Sequence, residues 1–586
     1  MLTIFSKSQI LKGNNVCFIA AILSFVCIAL LPVYFVGLRL YTPLPTPVFW
    51  VLIISAIGLI VFQIVRIPWP GYEPILIVEI VILGIALHMA YIVPFYGLPT
   101  SDSLRLLALT REIAAPGIVV PDSPMSLLDT AAWPLLPIWG AELHYLTGIT
   151  TRNIALWFPA LVISGGFVLM LYTFIKRIFE NIQVALMVML LIVTVLYFTL
   201  SGISFRPELF ALGLMMTGLY FLTRVQGGNR IKFAVLSTLC FVGVIFAHHQ
   251  TTFVLMLFFI VYSITNRALS SLGGNRLPSS KKNIIVVSGG FTLLAAVATL
   301  SYWVYLNEAP LFTLIVIGKN LLYGAPGSTL AETAYVVSPQ TLITFRGQIT
   351  FWGYYIFHAV FAIILLRGFF ARRRERRAEY YSFTIFLFVY GVWALVQLYA
   401  LPATTPGVYS VARLVMLGWI WGFAPLAVCV LDSKRRWNKQ LGIMILVSFM
   451  LFNVYMMPVM NWDFQVPGRA EGQIGTKEDH LLAETLTFTG KLATFKYTRN
   501  AIYSVHGLAG RDLRSVSPAE LEEMDWVVIK KGELESYVGG YHRITVVGRP
   551  FDYTITQLSK LQELLDGSPS GGRGKIYDSN NLAVFK

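Results

Sequence analysis

Apolar runs of membrane-crossing length, parted by short polar breaks, repeat along most of this chain. A hydrocarbon core about 30 Å thick takes roughly 20 apolar residues per helix, so the runs predict about thirteen membrane-spanning helices. They fall at 16–38, 48–65, 74–95, 153–175, 183–201, 207–223, 231–247, 251–266, 283–306, 348–367, 381–401, 411–431 and 440–459. The first run is too long, and too poor in a small-residue cleavage site, for a removable signal peptide. From 461 the pattern becomes that of a water-soluble domain. "KEDHLLAETLTFTG" and "ITQLSKLQELLDG" read as helices, "DWVVIKK" and "HRITVVG" as strands, and "GKIYDSNNLAVFK" as a hairpin with an Asn-Asn turn. The expected fold is an all-α polytopic membrane domain over 1–460, followed by a small extracytoplasmic α/β domain over 461–586.

The polar breaks are unequal. The first long one, 96–152, far exceeds what a helix hairpin needs, and such loops are usually functional. Within it, Thr100 or Ser101 can cap a helix with apolar positions Leu104, Leu106, Leu107, Ala108, Leu109 and Ile113, which Pro116 and Gly117 end. A second amphipathic stretch carries Trp133, Trp139 and Tyr145, aromatics favoured at headgroup depth. The loop is expected to lie on the outer leaflet. The break at 201–210 is short and charged at Arg206 and Glu208; that at 307–347 holds Glu308, Lys319, Tyr323, Glu332 and Arg346 and reads as a lid. Between 231 and 266 the chain reads as two short helices meeting at His248, His249 and Gln250, since one long helix would invert every later loop.

Composition agrees with the pattern. Of 586 residues, 56% are hydrophobic and 13% charged, outside the soluble globular range. Cys17, Cys27, Cys240 and Cys429 all lie in apolar runs, which gives no disulfide framework or thiolate metal site. No Gly-rich phosphate loop or zinc-type His/Cys spacing is present. The net charge of +15 would suggest a nucleic-acid partner until it is located. Residues 461–586 hold fifteen Lys and Arg against sixteen Asp and Glu, so the excess sits in the membrane part. There it gathers in alternate loops: Lys7 and Lys12, Arg66, Lys176 and Arg177, Arg224 to Lys232, Arg267 to Lys282, Arg372 to Arg377, and Lys434 to Lys439. This is the positive-inside pattern; it needs no nucleic acid and predicts a cytoplasmic amino terminus with residues 461–586 outside.

Candidate chemistry clusters at the outer ends. Asp102, in "TSDSL", stands at a predicted helix start, where free N–H groups and the dipole keep a carboxylate ionised and ready to act as a base. Arg206 and Glu208 open a helix, as a substrate contact or a solvated ion pair. His248 and His249 can hydrogen-bond a sugar or phosphate, or cap a helical turn. Arg413, entering a helix from outside, suits a bidentate phosphate contact or an interfacial anchor. Glu79 and His88 lie inside the third apolar run, where an ionisable group is costly; Glu79 reads as an interfacial carboxylate.

The first-loop acid in "SDSLRLLALTREI", the Pro-rich aromatic segment "WPLLPIW" and the following "FPALVISGGFVLMLYTFIKRIF" resemble the GT-C superfamily of polytopic glycosyltransferases, as do "FRPELFALGLMMTGLYFL" and "HHQTTFVLMLFFIVY". The resemblance covers roughly residues 74–270 well and the later helices loosely. It implies a sugar carried on a polyprenyl phosphate within the membrane lipid and transferred outside to a glycan, lipid or protein acceptor, with Asp102 in the place of the family's base. Arg206 and Glu208 lie in the second outer loop, where related enzymes place another acidic or metal-binding position, and Glu208 is the candidate for it; His248, His249 and Arg413 stay candidate substrate contacts on their own chemistry. The family often pairs its acid with a second one in this loop. Here the neighbours are Thr100, Ser101, Ser103 and Leu104, which leaves a divalent cation an open cofactor assignment. A transporter or flippase for a lipid-linked glycan is a rival, though internal repeats and charged mid-membrane breaks are missing; a non-catalytic scaffold is another.

Overall fold

A computed structural model describes residues 7–39, 46–66, 71–92, 101–115, 117, 134–195, 198, 205–225, 229–272, 289–305, 309–323, 345–371, 378–400, 411–455, 492–494, 511–512, 526–530, 575–578 and 582–585. The first three helices are α1 (Lys7–Arg39), α2 (Thr46–Arg66) and α3 (Glu73–Ile92). Two more, α4 (Ser101–Ala114) and α5 (Leu135–Thr147), belong to the first loop. Then α6 (Thr151–Leu161), a π-helical segment (Val162–Phe167) and α7 (Val168–Phe179) run on without a break. They are followed by α8 (Ile182–Thr194), α9 (Pro207–Arg224), α10 (Arg230–Ala247) and α11 (His249–Leu272). The rest are α12 (Gly289–Tyr305), α13 (Ala309–Tyr323), α14 (Phe345–Ala371), α15 (Ala378–Ala400), α16 (Val411–Leu431) and α17 (Arg436–Tyr455).

Every apolar run of the sequence meets one of these helices, and among the described residues seven helices are long and apolar enough to cross a membrane. The chain is an integral membrane protein. The helix break at 248 is real: His248 has extended backbone, φ −161° and ψ 122°, between α10 and α11. One difference concerns the expected third loop. Its first part is the helix α13, with Leu311 and Leu314 packed against Tyr302 and Trp303 of α12 and Phe253 and Met256 of α11, and with buried Ile317 near Trp393 and Val396 of α15. Lys319 stays exposed on it. A single cation in "APLFTLIVIGKNLLY" does not outweigh its apolar stripe.

Aromatic packing fills the bundle. Trp421 of α16 stacks on Phe258 of α11 at 3.9 Å between centroids, and Phe383 and Phe386 of α15 close around them. Glu79, expected as an interfacial carboxylate, is enclosed by protein. It is fully buried, accepting from Gln63 Nε2 at 2.9 Å, while the Tyr72 hydroxyl lies between Gln63 Oε1 and the Cys17 carbonyl, the latter at 2.7 Å. This polar knot joins α1, α2 and α3 where hydrocarbon offers no other partner.

In the carboxyl-terminal region five strands form one sheet in the order β2-β1-β3-β5-β4: β1 (Leu492–Thr494), β2 (Arg511–Asp512), β3 (Trp526–Lys530), β4 (Lys575–Asp578) and β5 (Leu582–Phe585). β1 pairs in parallel with β2 and β3, whereas β5 runs antiparallel to β3 and β4. The expected strand in "DWVVIKK" and the closing hairpin are among them. The expected helices, the strand "HRITVVG" and the Asn-Asn turn lie outside the described residues.

Candidate functional site at the first-loop end

The first loop folds back on the bundle. Gly117, at φ +73°, ends α4 with its N–H on the Ile113 carbonyl at 2.9 Å, a left-handed cap that suits glycine. α4 packs against α5 through buried Ala108, Leu109, Ile113 and Ala141. Gly140 makes the approach possible, since a Cβ there would stand 3.1 Å from both Phe205 Cζ and Thr110 Cγ2. Trp139 is half-buried. It packs on Phe158 of α6 at 3.8 Å and Phe210 of α9 at 5.4 Å, so its indole holds α5 to the bundle.

Asp102 is the second residue of α4, in the turn whose N–H groups have no partner within the helix. Its side chain lies outside the described residues. Its neighbour Ser103 is fully buried, and Ser103 Oγ accepts the Phe205 N–H at 2.9 Å. Phe205, itself buried, immediately precedes Arg206, which is the residue before α9 begins at Pro207. This bond therefore sets the first turn of α4 beside the first turn of α9. Asp102 and Arg206 are brought together as chain positions, each next to a residue of the bonded pair.

Glu208 is buried, at 1% exposure, in the first turn of α9. It is not the solvated ion-pair member that its charge suggested. A carboxylate there meets the positive end of the helix, which stabilises it. Arg206 is half-buried. The free N–H groups of two helix starts thus come close together, with the Glu208 carboxylate in the first turn of one of them.

His248 acts first as a cap. Its Nδ1 accepts the Thr251 N–H at 3.3 Å and lies 2.9 Å from Thr251 Oγ1, while its carbonyl accepts from Thr252 Oγ1 at 2.8 Å. The His249 ring lies 5.0 Å from that of His248. The helix that ends at the pair, α10, packs both on α9 and on α5: a Cβ on Gly243, near its end, would stand 3.0 Å from Leu214 Cδ1 of α9 and 3.8 Å from Leu135 Cδ2 at the start of α5. Arg413 is the third residue of α16, and its side chain lies outside the described residues. α16 packs on α8, α14, α15 and α17. Among the described residues no three His, Cys, Asp or Glu side chains gather as a metal site. Sequence reasoning passed over Ser103 as a member of the site; its partner is 102 positions away, and no local pattern marks it.

No family model matches the chain, and no curated protein does. Solved structures do. One is the oligosaccharyltransferase of Archaeoglobus fulgidus in complex with zinc and sulfate, at 12% identity over 80% of this chain and 69% of that one, with a TM-score of 0.48. Another is ArnT from Cupriavidus metallidurans bound to undecaprenyl phosphate, at 12% identity over 87% of this chain and 97% of that one, with a TM-score of 0.47. Both are GT-C glycosyltransferases. At TM-scores below one half, the likeness does not extend to what this chain does.

Proposed function

We propose that this chain is a membrane glycosyltransferase that moves a sugar from a polyprenyl-phosphate carrier to an acceptor on the extracytoplasmic face. The observation that carries the reading is the Ser103–Phe205 hydrogen bond, because it joins the helix start bearing Asp102 to the one bearing Arg206 and Glu208. Glycosyl transfer needs a carboxylate to take the acceptor's hydroxyl proton and a cation to hold the departing phosphate. Asp102 is the base and Arg206, with the two helix starts, is the phosphate contact. Glu208, His248, His249 and Arg413 are the further substrate contacts, and the acceptor is a glycan, lipid or protein hydroxyl. The chain crosses the membrane about thirteen times with its amino terminus in the cytoplasm. Residues 461–586 form an α/β domain outside.

The test is transfer by the purified protein from a panel of polyprenyl-phosphate sugars, comparing wild type with Asp102→Asn. The variant is expected to insert normally and to lose on the order of a hundredfold in turnover, the scale of a missing general base. Equal turnover would remove Asp102 from the chemistry. Failure of wild type with every donor would favour a transporter or scaffold.

A further inference from the structure

The third apolar run carries a histidine that the proposed chemistry does not use. His88 of α3 is fully buried. Its Nδ1 lies 2.6 Å from the Gly84 carbonyl and 3.0 Å from Ser164 Oγ of the π-helical segment, and its Nε2 lies 3.3 Å from the Phe198 carbonyl. A carbonyl can only accept, so the ring serves both carbonyls together only with a proton on each nitrogen. With a proton on Nε2 alone it still donates to Phe198, and Nδ1 then accepts from the Ser164 hydroxyl.

We propose that His88 is a positioning residue: it pins the root of the second loop, at Phe198, so that the far end of that loop presents Arg206 beside the Asp102 helix. Three observations meet here. Gly84 lets α3 come close, since a Cβ there would stand 2.8 Å from Ser164 Oγ and 3.1 Å from Val193 Cγ1 of α8. One helical turn further on, the His88 ring then reaches beyond the end of α8 to Phe198. The wide turn of the π-helical segment, a feature frequent at functional sites, carries both Ser164 and Phe167. The Phe167 ring stacks on that of Phe198 at 5.6 Å and 18°, so ring and carbonyl of Phe198 are both held. Only six residues separate Phe198 from Phe205, whose N–H is on Ser103. Phe198 and Phe205 are thus each held, the one by His88 and the other by Ser103. Phe198 is fully buried, and taking the His88 N–H from its carbonyl removes a hydrogen bond at a costly place, which makes the root rearrange.

This inference rests on the proposed transfer for its functional half and stands without it for its structural half. The experiment uses the full chain in lipid nanodiscs and follows amide hydrogen exchange across 198–206 in wild type, His88→Phe and His88→Gln. Phe fills the space with no N–H, whereas the Gln amide restores a donor. The expected result is about tenfold faster exchange in His88→Phe, the effect of losing one buried hydrogen bond, with α3 and α9 unchanged and at least half of the effect reversed in His88→Gln. Turnover should fall by about the same factor with KM held within about twofold, and should recover in the same variant. Unchanged exchange in His88→Phe overturns the proposal, as does a Gln variant as fast as the Phe variant. Should His88→Phe fail to fold, wild-type exchange in His88→Gln together with accelerated exchange in Ser164→Ala supports it, and wild-type exchange in both overturns it. If wild type transfers no sugar, the exchange result alone decides, and the two proposals fail separately.

Discussion

Ser103 shows how a single hydroxyl can matter more than the charge beside it. Replacing it with alanine leaves the buried Phe205 N–H without its acceptor, a cost of about 1–3 kcal/mol. Ser103→Ala should lower thermal stability by that amount and turnover by about tenfold, while Ser103→Thr keeps the oxygen and most of both. Thermal unfolding and turnover read together would check this, and an unaltered Ala variant would uncouple the two helix starts. His248 invites a cleaner separation of roles. Its Nδ1 caps α11, a job asparagine performs equally well, so His248→Asn should keep stability within a few tenths of a kcal/mol while His248→Leu loses about 1 kcal/mol. A stable Asn variant with full turnover would leave the imidazole with the cap alone; lost turnover would mean that it meets substrate. That Asp102, Arg206 and the histidine pair stand at helix starts was legible from the sequence, because helix starts and interrupted apolar runs leave local marks. Ser103, Phe205 and Gly140 were not, because their meaning is a meeting between residues far apart in the chain.

At the scale of elements, small residues decide which helices touch. A Cβ on Gly218 of α9 would stand 2.6 Å from Phe241 Cε1 of α10, and Ser237 Oγ donates to the Gly218 carbonyl at 2.8 Å. Gly218→Val should therefore destabilise the α9–α10 pair by about 1–3 kcal/mol, the usual cost of overpacking, and retention of the wild-type melting temperature in detergent would contradict the close fit. Helix positions came readily from the apolar runs, since hydrocarbon forces every backbone group to bond within its own segment. α13 did not, because its polar flanks and lone lysine resemble a loop until the packing on α11, α12 and α15 is known. The π-helical segment was equally hidden: "VISGGF" is apolar and small whichever way it winds. The burial of Glu79 was hidden too, because its partner Gln63 lies on another helix, 16 positions away.

The whole molecule is polarised from end to end. Near the start of α3, Lys176 donates to Glu73 at 2.5 Å and Tyr172 shares that carboxylate, joining α3 to α7 at the end expected to face the cytoplasm. Lys176 is 40% exposed, so water screens the pair and it contributes little on its own. The orientation is testable by single cysteines at Arg374 and Lys560: an impermeant maleimide added to whole cells should label the second and spare the first until the membrane is opened. Labelling of the first alone would invert the topology. Membrane and tail were separable from composition, whereas the strand order was not, since β1 and β2 are too short to announce themselves. That order has a consequence. β5, the last of these five strands along the polypeptide, lies between β3 and β4, and among the described strands β4 adjoins it alone. Trimming the chain after Asn581 would thus pull out a keystone, setting β4 adrift and baring the flank of β3 to any passing strand.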